Sequence, residues 1–138
     1  MSKETKERLA AEVARIIGLP IIPMQPTAVH DSKPFPHLVQ HGNGRLFLDG
    51  QLFDPLTQPA HFHLVEAWLV RQGLGYRHEY DARYTAHTFQ IESGMTYIYD
   101  TRPLAGCLAL VHQFGDDRLV NAYREAAVLD SIMEKSSR

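Results

Sequence analysis

Between Asp54 and Gly73 the chain reads DPLTQPAHFHLVEAWLVRQG, and this stretch constrains the fold more than any other because both its ends and its apolar period are explicit. Thr57 can cap a helix by accepting from an unpaired N–H of the first turn. Pro59 falls in that turn, where its missing N–H costs nothing. Gly73 supplies the left-handed residue that commonly ends a helix. Phe62, Val65 and Leu69 recur at helical spacing, and Leu64, Trp68 and Val70 widen the apolar arc. After His63 only Glu66, Arg71 and Gln72 are plainly polar, so this helix is expected to be covered on more than one side, as the central helix of its domain.

What precedes it divides in two. Residues 2–17 form an amphipathic helix, capped by Ser2 or Thr5 and stopped at Gly18-Leu19, with Leu9, Val13, Ile16 and Ile17 as its stripe. Residues 18–36 carry Pro20, Pro23, Pro26, Pro34 and Pro36, which favour an extended, polyproline-like spacer and forbid regular pairing. A stiff spacer can hold a helix away from its own core. The stripe either packs on its own domain or, as the candidate oligomerisation surface, serves as an arm clasping a second copy.

Residues 37–138 read as a single α+β domain. Strands are expected at 37–41, 45–48 and 51–53, with Asp49-Gly50 at a hairpin turn feeding the central helix. Three more, at 76–80, 84–92 and 95–99, form an antiparallel meander with one wet face and one helix-covered face. Tyr97 and Tyr99 then share a face. Thr101 and Pro103 open a helix with the stripe Leu104, Cys107, Leu108, Val111 and Phe114, and a last helix starts at Asp116 or Asp117 with Leu119, Ala122, Tyr123, Ala126, Leu129 and Met133. The fold class is thus an antiparallel sheet, hairpin plus meander, packed with the central and C-terminal helices.

A net charge of −2 argues against a dedicated nucleic-acid binder, which gathers a basic face. The single cysteine points to a reducing compartment, the charged N-terminus is no signal peptide, and no run approaches the roughly 18 apolar residues of a membrane span. A soluble, cytoplasmic protein is expected. Ten of the fourteen basic residues are arginine, which is enriched at protein interfaces.

The candidate chemistry is sparse. His61 and His63 are the densest histidine pair and the alternative metal ligands, for a small hydrolase or nuclease, but a spacing of two puts them on different sides of a helix. Cys107 lies on an apolar stripe and should be an inert thiol. Glu79, Asp81 and Glu92 suit a wet sheet face better than a paired-carboxylate site. Gly42-Asn43-Gly44 lacks the following helix that would let it grip phosphate. No catalytic residue, resident metal or cofactor is predicted. The richest patch is Tyr76, Arg77, His78, Tyr80, Arg83 and Tyr84; Tyr76, Arg77, Tyr80 and Arg83 are the candidate binding surface, for a protein or, alternatively, a nucleotide stacked on tyrosine.

The order of hairpin, Asp54-Pro55-Leu56, helix, three strands and the Leu/Ala-rich helix from Pro103 to Phe114 resembles the small phage "ABA sandwich" proteins over residues 47–114. That resemblance implies an accessory protein of phage or mobile-element origin that works by occluding a host complex, including a bacterial defence system, and it brings no catalytic residues. The expected function is non-enzymatic protein binding by an inhibitor or adaptor that self-associates.

Overall fold

The computed structural model describes residues 3–23 and 36–136. The elements are α1 (Lys3–Ile17), β1 (Ile21–Pro23), β2 (Leu38–Gln40), β3 (Leu46–Leu48), β4 (Gln51–Leu52), α2 (Pro59–Arg71), β5 (Tyr76–Asp81), β6 (Ala86–Ile91), β7 (Tyr97–Tyr99), α3 (Arg102–Phe114) and α4 (Asp117–Ser136). Ser2, Pro26, Pro34 and the side chain of Met133 lie outside the described residues. The class is α+β, and no helix among the described residues is long and apolar enough to cross a membrane.

The strands make two sheets rather than one. β5–β6–β7 is the antiparallel meander, and the other sheet has the order β1–β2–β3–β4. β2, β3 and β4 pair antiparallel, but β1 runs parallel to β2 inside the stretch expected to avoid pairing. Proline does not prevent this, because Ile21 and Ile22 keep their N–H groups and Pro20 contributes its carbonyl, which accepts from the Leu38 N–H at 2.8 Å. As an edge strand β1 occupies the position where proline is tolerated.

The helix around which the others pack is α3, not α2. From Pro103 to Val111 every residue except Leu104 is buried, and α3 touches α1, α2, α4, β6 and β7. A helix apolar all round belongs in the interior. Thr101 starts it, its hydroxyl oxygen accepting from the Leu104 N–H at 3.4 Å. By contrast α2 buries one stripe, His61, Phe62, Val65 and Leu69, and leaves Val70 68% exposed. Its N-cap is Gln58, without a side-chain bond, because the Thr57 hydroxyl donates instead to the Asp54 carboxylate in the preceding turn. Its far end is as expected: Gly73 takes φ +70° and lets the Leu74 N–H reach back to the Leu69 carbonyl at 2.9 Å.

Small residues let α3 sit so close to its neighbours. A Cβ built on Gly106 would lie 2.2 Å from the Phe62 ring, so the absent side chain is the slot into which Phe62 fits. Phe62 then meets Phe89 of β6 edge-on, with ring centres 5.7 Å apart, linking α2, α3 and the meander through one aromatic pair.

α1 packs against α3, α4 and α2 of its own chain. Leu9, Val13 and Ile17 are buried in the same core as Leu108 and Val111, with Ile16 packed beside them. The stripe expected to clasp a second copy is therefore occupied within the chain. Glu12 ties the two ends together, its carboxylate accepting from the Asp116 N–H at 2.8 Å where α4 begins. An anion at a helix N-terminus is favoured there, and its carboxyl is held below the usual carboxylate range mainly by Arg15.

Two substitutions test this arrangement by urea denaturation. Leu9→Ala should cost about 2–5 kcal/mol, as for a core leucine, whereas an exposed arm position would change stability by less than about 0.5 kcal/mol. Gly106→Ala should cost about 1–3 kcal/mol by overpacking, despite alanine's advantage in a helix of about 1 kcal/mol. Adding Phe62→Leu should then give a double variant more stable than the sum of the two single losses predicts.

Candidate functional site

Strand β5 sorts the expected binding residues by alternation. Tyr76, His78 and Tyr80 pair with Ile91, Phe89 and His87 of β6 and share the face that α3 covers in part. Arg77 and Glu79 point to the opposite, solvent face. Tyr76, Arg77, Tyr80 and Arg83 therefore do not form one surface. Arg83 meets Tyr84 in the β5–β6 turn, Tyr80 lies near the end of β5 just before it, Tyr76 is drawn inward, and Arg77 lies on the far side with Glu79.

Tyr76 joins a polar knot beneath the sheet. Its hydroxyl donates to Glu66 Oε2 of α2 at 3.0 Å, and Arg102, at the start of α3, donates to the same oxygen. Glu66 and Arg102 are half-buried, and Arg102 Nε is fully buried without a hydrogen-bond partner. Burial, with the Glu66 hydrogen bond behind it, raises the Tyr76 pKa and keeps the phenol protonated. Glu66 and Arg102 escaped the sequence reading because 36 positions separate them. The only hint was that Glu66 is the one acid in an apolar helix.

Next along the same face, His78 Nε2 and His87 Nδ1 are 2.8 Å apart. The rings are near-parallel at 7° with centres 5.1 Å apart. So large a separation of centres for so short a nitrogen contact requires the two nitrogens to point straight at each other in a common plane. One ring donates and the other accepts, and a proton on both facing nitrogens would break the contact. Tyr80 covers His87 with ring centres 4.6 Å apart, so the row continues outward to the turn.

At the turn, Arg83 donates to both carboxylate oxygens of Asp81, from Nε at 3.3 Å and Nη2 at 3.2 Å, and its guanidinium lies over the Tyr84 ring at 5.6 Å. Tyr84 is 73% exposed and Tyr80 54%. Thr85 closes the turn at φ +46°, a conformation that a β-branched residue rarely adopts.

The remaining candidates do not converge. His61 is buried, stacks on Phe53, and accepts from the Asp54 N–H through Nδ1 at 3.0 Å, while His63 is exposed. Among the described residues no group of three or more His, Cys, Asp or Glu side chains could hold a metal ion. Cys107 is fully buried with its thiol directed at the Pro55 carbonyl, and burial pushes its pKa well up, which leaves it without thiolate character. Glu92 accepts from the Gly75 N–H at 3.0 Å, Asp81 serves Arg83, and Glu79 faces solvent, so no carboxylate pair forms. Compared with models of known families, with curated proteins and with solved structures, the chain matches none.

Both inward histidines titrate below their ordinary value. For His61 the cause is burial, opposed by the Asp54 charge; for His78 it is burial, then Arg102 and His87, opposed by Glu66. A folded-state pKa below the unfolded value means that the unfolded chain binds more protons as pH falls. The stabilisation is complete above pH ~6.5 and is lost as pH drops through the folded values. Urea midpoints should therefore fall between pH 7.5 and pH 5.5, and the decline should be shallower in His78→Gln and in His61→Asn.

Proposed function

We propose that this chain is a non-enzymatic accessory protein that binds another protein, an inhibitor or adaptor of phage or mobile-element origin that occludes a host complex, including one of bacterial defence. The observation that carries the reading is the β5–β6 turn, where Tyr80, Arg83 and Tyr84 are displayed together on a short, braced hairpin end. Tyrosine and arginine dominate the energetics of protein interfaces. Arg83 is already held by Asp81 and Tyr84, so less side-chain freedom remains to be lost on binding. Strain at Thr85 fits a turn shaped for recognition rather than for stability.

The polar groups behind the turn favour binding over reaction. Glu66 is engaged by Tyr76 and Arg102, and His78 by His87, so each ionisable group is directed at a neighbour rather than at an open cleft. A single buried cysteine suits a cytoplasmic setting. Self-association is no part of the proposed mechanism, since the α1 stripe is engaged by α3 and α4.

The test is affinity capture from bacterial lysate with the intact chain and with a Tyr80→Ala, Tyr84→Ala double variant. The intact chain should retain one complex in fixed stoichiometry. The variant should lose it by about 2 kcal/mol or more, roughly thirtyfold in affinity, with only a small fall in melting temperature because both rings are more than half exposed. Identical retention by both chains would remove the turn from the binding surface. A melting-temperature increase with a nucleotide, abolished in the same variant, would favour a base stacked on these rings instead.

A further inference from the structure

The far edge of the meander presents a second surface of different chemistry. β7 pairs with β6 alone, so its outer backbone groups have no strand partner among the described residues. Such an edge is a template for another strand, and proteins usually blunt it with lysine, proline or a bulge. Here the edge carries Met95 and Ile98, the latter 61% exposed. A groove of about 230 Å³ runs beside it, lined by residues 95–99 and by Arg124 of α4.

Two groups beside this groove lack partners, one sealed beneath it and one open to it. Tyr97 is only 4% exposed, and its buried hydroxyl makes no hydrogen bond. A buried polar group left in that condition costs stability. Arg124 is exposed and forms no ion pair among the described residues. Its positive charge acts on the Tyr97 and Tyr99 hydroxyls. The Tyr97 hydroxyl has no surface on the groove, so the open polar group there is the Arg124 guanidinium, which calls for an anionic acceptor, and the adjacent open strand edge calls for extended backbone.

We propose that the β7 edge takes up an extended segment of a partner protein as an added strand, with an aspartate or glutamate of that segment accepting from Arg124. Main-chain bonds to β7 supply the affinity, Met95 and Ile98 flank the strand, and the carboxylate sets the register. This site lies apart from Tyr80 and Tyr84 and does not depend on the role proposed for them.

The test is selection of a displayed twelve-residue peptide library on the full chain. Selected peptides should alternate apolar and polar residues and share one Asp or Glu. On an Arg124→Glu chain the shared acid should be replaced by Lys or Arg, whereas the Tyr80→Ala, Tyr84→Ala chain should select the same acidic motif as the wild type. Arg124→Gln should weaken the selected peptide about tenfold, through loss of a charge-assisted hydrogen bond, while Tyr97→Phe, whose hydroxyl is sealed from the groove, should bind it as the wild type does. No enrichment, a motif without an acid, a motif indifferent to Arg124→Glu, or an unchanged affinity in Arg124→Gln would overturn the proposal. So would finding that the wild-type chain blocks the edge by pairing β7 with β7 of a second copy at the concentrations used.

Discussion

The fit of Phe62 over Gly106 is the contact on which the architecture rests. It brings α2 against α3 at a distance that no larger residue permits, and the same ring reaches Phe89 in the meander. With that distance set, α3 can be enclosed by α1, α2, α4 and the sheet together. Close approach is worth more than its apolar area because dispersion contacts are lost quickly as a gap opens. Ala105 and Ala109, one turn apart on the adjoining side of the same helix, are buried as well.

Polar groups fix the register of these pieces. Glu66 receives Tyr76 from β5 and Arg102 from α3, so one carboxylate specifies how a helix, a strand and a second helix meet. A partly buried ion pair of this kind adds little net stability over an apolar contact of the same shape, but removing one partner leaves the other charge stranded. The head-on pair His78–His87 continues the same logic across β5 and β6, where a slip of one strand by one residue would send its ring to the other face. The row ends at Tyr80 and the displayed turn, so the interior network and the exposed surface belong to one strand pair.

Much of this could be read from the residues in order. The meander strands, the Asp49-Gly50 turn, the stop at Gly73 and the shared face of Tyr97 and Tyr99 all follow from local chemistry, and each is present. The mistaken choice of central helix has a physical source. Large side chains drew attention to α2, while burial of α3 is announced by Ala105, Gly106 and Ala109, residues whose contribution is the room they leave. β1 was hidden because a tally of prolines says nothing of which N–H groups survive between them. The Glu66–Arg102 pair, and the groove that joins Arg124 to Tyr97, unite residues far apart in sequence, which periodicity cannot reveal.

The bond from Glu12 to Asp116 spans 104 residues and has a bearing on how the protein is made. A ribosome adding ~5–20 residues each second needs roughly 5–20 s to deliver the second end after the first. For most of that interval the nascent α1 helix carries Leu9, Val13 and Ile17 with none of α3 yet delivered to cover them. Birth of this molecule thus includes a waiting period in which chaperones, or sticking to a neighbouring nascent chain, compete for the same apolar surface.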